Sequence, residues 1–235
     1  MSAANASPLS AGPALVGAAA LTLVLYLVPQ LATLARPLEL LSTLVHELGH
    51  GLTALALGGD LNRLLIWPDG SGQAEYTGTF GRLAFAATAA GGLLGPPLGA
   101  LAMFLASRSA RSARVALTAF AVLLLVALVL WVRNLFGLAF VASLCALLGL
   151  LLWKGGRWAQ FVTAFLAMQL TLSVFSRSDY LFTSRADTAG GTAPSDVAQI
   201  ADALFLPFWF WGALIALFSL AILVVGLVSA ARAMR

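Results

Sequence analysis

Apolar residues run in long, nearly unbroken stretches along this chain, and polar residues gather mainly where those stretches end. Taking about 20 apolar residues as one membrane crossing, the pattern predicts about seven helical spans. They lie near 14–35, 38–58, 83–106, 114–132, 135–153, 158–176 and 206–230. Residues 1–13 are small and polar and predict a flexible N-terminus. They lack Lys and Arg, and the apolar run after them is longer than a signal-peptide core, so the first span is expected to be retained. The second span is the least apolar, with Pro37 expected in its first turn and Gly58-Gly59 as its stop. The third contains Gly91-Gly92-Leu93-Leu94-Gly95-Pro96-Pro97-Leu98-Gly99. Small residues let helices approach closely and prolines bend them, so this span is expected to pack on the second.

Two polar stretches interrupt the pattern. Between the second and third spans, 61–67 and 73–77 flank Pro68-Asp69-Gly70-Ser71-Gly72, whose residues favour a turn. We read an ordered connecting loop there, with a small β-hairpin at the membrane surface as the alternative. If the hairpin forms, its outer strand offers backbone groups to which an extended peptide can add. The second stretch, 177–205, reads as a polar loop holding Thr188-Ala189-Gly190-Gly191-Thr192-Ala193-Pro194. Ser195 follows as the N-cap of a short helix with Asp196 in its first turn. The whole chain, 1–235, reads as one polytopic domain with no internal repeat.

Composition agrees with an all-α integral membrane protein. The chain is 61% hydrophobic and 9% charged, with mean hydropathy +0.97, which excludes an ordinary soluble domain. Its net charge of +4 is scattered at span ends. That distribution suits lipid headgroups and contains no basic block of the kind that binds nucleic acid. Cys145 is the single cysteine, which excludes an internal disulfide and a cysteine-based metal site. With the N-terminus outside, more arginines fall on the inner side than the outer, so the expected orientation is N-out and C-in. The preference for Arg over Lys and the richness in Ala hint at a bacterial, GC-rich coding origin.

The chemistry lies in the second span. His46 and His50 are the only histidines and stand four residues apart, with Glu47 beside the first. On a helix this spacing places both imidazoles on one face, where they can share a metal, and Glu47 can act as general base on a water there. Ionisable groups in a membrane span are costly and tend to be functional. Catalytic zinc usually takes three protein ligands, and no third histidine exists, so the partner should be a carboxylate. The candidates are Asp196, Asp179, Glu75, Asp202 and Asp187. Asp196 is preferred for its place at a helix start on the expected side, although an acid there also stabilises the helix dipole. Arg133-Asn134 interrupts the apolar pattern between the fourth and fifth spans. It reads first as a short polar connection, and alternatively Asn134 contacts the substrate carbonyl or its oxyanion.

His46-Glu47-Leu48-Gly49-His50-Gly51 in a membrane span, followed by a Gly-Gly turn and a Ser-Gly loop, resembles the site-2 protease family of intramembrane zinc metalloproteases. The likeness is to its compact, mostly bacterial branch without appended peptide-binding domains. Gly95-Pro96-Pro97-Leu98-Gly99, Arg133-Asn134-Leu135-Phe136-Gly137 and Ser195-Asp196 ahead of Leu206-Pro207 extend it. The resemblance implies Zn(2+) held by His46, His50 and Asp196, with Glu47 as catalytic base. Better-known members carry the aspartate in a Leu-Asp-Gly or Pro-Asp-Gly sequence of a later span. Here Pro68-Asp69-Gly70 has those letters but reads as a turn. The expected function is hydrolysis of peptide bonds in membrane-protein substrates whose spans unwind locally. A proteolytically silent metal-binding scaffold and a small proton or metal-ion transporter are the alternatives.

Overall fold

The structure, a computed structural model, describes residues 11–28, 30, 32–154, 158–176 and 178–232. The N-terminal residues 1–10, expected to be flexible, lie outside the described residues, as do Arg157, Arg177 and Arg235 of the charge count. The described chain is mostly helical, with α1 (Ala11–Leu27), α2 (Ala32–Ala56), α3 (Arg82–Ala106), α4 (Ala110–Leu130), α5 (Leu135–Trp153), α6 (Ala159–Ser176), α7 (Asp196–Leu204) and α8 (Phe208–Arg232). Two antiparallel hairpins, β1 (Asp60–Ile66) with β2 (Gly72–Thr77) and β3 (Arg185–Thr188) with β4 (Gly191–Pro194), complete it. A 3-10 helix, Ser178–Phe182, precedes the second hairpin.

Among the described residues four helices, α3, α4, α5 and α8, are long and apolar enough to cross a membrane. The apolar stretches Gly12–Leu25 of α1 and Ala159–Ser173 of α6 are shorter. The first two spans divide differently from the expectation. The break falls before Ala32, so Pro37 lies inside α2 and not in its first turn. Arg36 and Glu39, which resemble a boundary in sequence, form an i,i+3 ion pair of 3.5 Å on that helix instead. At the far end Gly58 adopts φ 84°, and Gly59 N–H reaches Ala54 O at 2.9 Å. This Schellman closure stops α2 where the glycine pair predicts it.

α3 is the centre of the bundle and touches α2, α6, α7 and α8. Its glycines are the reason it comes so close to α2. A Cβ on Gly95 would stand 2.9 Å from Val45 O, one on Gly91 would collide with Thr53 Oγ1, and one on Gly49 of α2 would collide with Gly91 O. Along this seam backbone meets backbone at Gly49, Gly91 and Gly95, and short contacts to Thr53 fill the rest.

The segment after α2 is a hairpin, not the loop we preferred. Gly70 takes φ 92° in its turn, and Asp69 Oδ1 accepts from Ser71 N–H at 2.9 Å and Ser71 Oγ at 2.7 Å. A bulge between Leu61 and Arg63 resets the alternation so that Leu61, Leu64 and Ile66 all face inward, against Leu40, Leu41, Leu44 and Leu48 of α2. Long-range clasps hold it there. Thr43 Oγ1 donates to Gly70 O at 2.7 Å, and Arg36 donates to Pro68 O at 3.0 Å. The α4–α5 junction adds to the free edge of β1, with Leu64 N–H on Trp131 O at 2.8 Å and a parallel bridge to Val132. The β3–β4 hairpin has no counterpart in the sequence reading. Its tip meets the first hairpin, with Ala189 N–H donating to Ser71 Oγ at 3.2 Å.

Candidate metal centre

α2 carries His46 and His50 on one face, as their spacing dictates. Ser195 caps α7, its hydroxyl accepting from Ala198 N–H at 3.3 Å and donating to Thr183 O at 2.6 Å, which puts Asp196 in the first turn. α3 packs against both helices. Asp196 is thereby brought to the histidines: Oδ2 lies 3.0 Å from His46 Nε2 and Oδ1 lies 3.3 Å from His50 Nε2. The two Nε2 atoms are 3.1 Å apart.

These distances suit a small cation. A tetrahedral ion with bonds of about 2.0–2.1 Å separates its ligands by about 3.3–3.4 Å. Proton placement agrees. His50 Nδ1 lies 2.8 Å from Thr88 O, and because a carbonyl only accepts, Nδ1 carries the proton. The lone pair of Nε2 is then turned toward His46 and Asp196, the tautomer a metal requires. His50 has room to lie there because Gly92, one turn beyond Thr88, has no side chain, and a Cβ at that position would collide with the imidazole ring.

Glu47 is buried beside the cluster and faces a cavity of about 470 Å³. His46, Thr43, Gly72 and Tyr180 share the wall, while Leu93, Pro96, Ile215 and Ser219 extend it inward, and Asp69–Gly72 and Arg185–Thr188 form its rim. β2 passes directly over Glu47. A Cβ on Gly72 would stand 2.9 Å from Glu47 Oε1, so this glycine leaves the carboxylate its space.

The other acids are elsewhere. Glu75 pairs with Arg63 at 2.6 Å, and Asp187 accepts from Thr192 Oγ1 at 2.6 Å within the second hairpin. Asp202 lies in α7 away from the cluster, and the side chain of Asp179 is outside the described residues. Among the described residues His46, His50 and Asp196 are the group able to hold a metal, their donor atoms all within 4.8 Å of one another.

A family model described as Peptidase M50B-like matches residues 16–226. The chain belongs to this family, part of the site-2 protease group. No curated protein and no solved structure matches it. Within this M50B-like chain, Asn134 is the one expected site residue held apart. Its Nδ2 donates to Ile66 O and its Oδ1 accepts from Ile66 N–H at 3.2 Å, so both ends of the amide are spent on β1. Asn134 therefore fastens the hairpin and is not among the residues that line the cavity. That placement agrees with the polar connection between the fourth and fifth spans, since one donor and one acceptor of the amide are held by Ile66.

Two contributors have no clear sequence signal. Thr88 acts through its backbone carbonyl, which any residue supplies. Tyr180 sits on the 3-10 helix with its hydroxyl 3.4 Å from Asp196 Oδ2 and its ring edge-on to His46 at 6.1 Å. Burial and the nearby Asp196 and Glu47 push its phenol above the usual range, so it remains an O–H donor.

Proposed function

We propose that this membrane protein is a zinc metalloendopeptidase that cuts membrane-protein substrates. The observation that carries the reading is the convergence of His46, His50 and Asp196, from two separate helices, beside Glu47 on a polar cavity. His46, His50 and Asp196 would hold the ion, and the tautomer of His50 and the spacing of the three donors fit it. When bound, zinc supplies Lewis acidity that polarises the scissile carbonyl and makes a water nucleophilic near neutral pH. Glu47 takes the proton of the attacking water and returns it to the leaving amine. Among the described residues β2 pairs only with β1, and Ala74 gives a backbone hydrogen bond to Glu47, so the remainder of that edge suits an extended substrate added as a strand beside Glu47. An intact helix shields its peptide bonds, so the substrate span must unwind to reach that edge.

Seven crossings, by every long helix except the short α7, complete the picture. Alternating crossings put the β1–β2 hairpin, the α4–α5 junction and the segment before α8 on one side. The contacts of Leu64 with Val132 and of Ala189 with Ser71 support that arrangement. The arginine distribution makes this the outer side of a cell membrane, with the N-terminus out and the C-terminus in.

The test is Glu47→Gln against the native chain, both zinc-loaded in detergent, with a dye-quenched single-span membrane protein as reporter. We expect about one zinc per chain in both and cleavage slower by about 10²–10⁴-fold in the variant. Equal cleavage by the two proteins overturns the assignment of Glu47. Zinc binding without any cleavage, combined with metal flux in proteoliposomes, would select transport.

A further inference from the structure

Amide hydrolysis puts negative charge on the carbonyl oxygen as the carbon becomes tetrahedral, and a fixed donor aimed at that oxygen lowers the barrier. The residue the sequence offers for this task, Asn134, is consumed by Ile66. Four other hydroxyls along the cavity are engaged: Thr43 Oγ1 on Gly70 O, Ser71 Oγ on Asp69, Thr183 Oγ1 on Tyr180 O and Thr188 Oγ1 on Gly191 O. Ser219 Oγ has no partner among the described residues but lies on the apolar extension of the cavity with Leu93, Pro96 and Ile215. The phenol of Tyr180 differs. It lines the same wall as His46 and Glu47, and it is the cavity hydroxyl whose recorded partner, Asp196 Oδ2, belongs to the metal cluster.

That bond is long, at 3.4 Å, and its acceptor lies 3.0 Å from His46 Nε2. Oδ2 is then an atom that a bound cation would engage, which weakens it as an acceptor and leaves the phenol free for a better one. The ring is held in place. It packs edge-on to His46, and the 3-10 helix that bears it rests on α8, where a Cβ on Gly212 would collide with Leu181 O. We propose that Tyr180 is a catalytic residue, donating its hydroxyl hydrogen bond to the oxyanion that forms on the scissile carbon. This rests on the protease reading above. The phenol keeps its proton throughout, and the proton that moves from water to the leaving nitrogen is carried by Glu47.

Tyr180→Phe removes only the hydroxyl and is tested on the zinc-loaded full chain. Two measurements do not need turnover: zinc affinity by chelator competition, and affinity for a phosphinic peptide, whose anionic oxygen stands where the oxyanion would form. We expect zinc affinity within about two-fold of native, phosphinate binding weaker by at least about ten-fold, and kcat on the reporter lower by about 10²-fold with KM little changed. Equal phosphinate affinity in the two proteins, or no binding to the native one at millimolar concentration, overturns the proposal. So does a loss of zinc affinity that accounts for the kcat loss and is reversed by excess zinc, which would make Tyr180 a positioning residue for Asp196. Glu47→Gln keeps the two readings separable. No cleavage by the zinc-loaded native chain defeats the protease reading, whereas an inactive Glu47→Gln beside a fully active Tyr180→Phe defeats this one alone.

Discussion

α3 and α5 are both apolar helices able to cross a membrane, yet they do opposite work. α3 is buried along much of its length, and Gly91, Gly92 and Gly95 face α2 and its imidazole at van der Waals limits. α5 is more uniformly apolar and buries only Gly137, Val141 and Leu148, while Leu135, Leu147 and Leu150 stand exposed. Its Gly149 has nothing within 4 Å of an added Cβ. Greater hydropathy therefore marks the helix that faces lipid, and small residues mark the helix that shapes the site. The reason is that lipid tails and leucine side chains are equivalent surroundings, so association inside a bilayer depends on close fit.

The largest expected contrast is at the cluster α3 organises. His46→Ala and Asp196→Ala should each take bound zinc from about one per chain to near none, measured by metal analysis after gel filtration. Cys145→Ala on α5 should keep the full complement. Retention of zinc by Asp196→Ala would move the third ligand to another carboxylate.

Next comes the pair of glycines. Gly92→Ala should push the His50 ring from its seat against Thr88 and weaken zinc by about 10–100-fold, the usual cost of disturbing a ligand's support. Gly149→Ala should leave zinc affinity unchanged. If both substitutions act alike in a chelator titration, close packing is not what distinguishes the two helices.

A smaller effect is expected at the junction leading into α5. Asn134→Ala strips two partners from Ile66 and should lower the unfolding free energy by about 1–3 kcal/mol in detergent. Amide exchange at Leu64 and Ile66 should quicken, while zinc stoichiometry stays the same. Loss of zinc in this variant would place Asn134 closer to the chemistry than its contacts do. The smallest effect belongs to the lipid-facing side of α5, where Leu147→Val should change stability by no more than about 0.5 kcal/mol.

Much of this was legible before any coordinates. The apolar runs located α3, α4, α5, α6 and α8 to within a few residues, because a membrane-crossing helix needs little beyond length and hydropathy. Gly58-Gly59 ended α2, and Ser195 opened α7, since caps are local interactions. The hairpins were not legible in the same way. β1 and β2 are short, and what holds them is remote in sequence: Thr43 on the turn, Leu64 beside Val132 and Asn134 on Ile66. The β3–β4 hairpin carries few strand-forming residues, so the same stretch reads as loop.

By itself the sequence determined that the chain belongs in a membrane and that His46, Glu47 and His50 share one helix. Hydropathy and the i,i+4 repeat act within a single segment, and no other part of the molecule can alter them. Only the tertiary structure decided which acid meets the histidines, that Asn134 is spent on the hairpin and that Tyr180 faces the cavity. Those outcomes depend on how α3 seats α2 and α7 against each other. That seating comes from backbone approach at glycines and from carbonyl acceptors such as Thr88 O, whose partners are set by position in space and not by residue type.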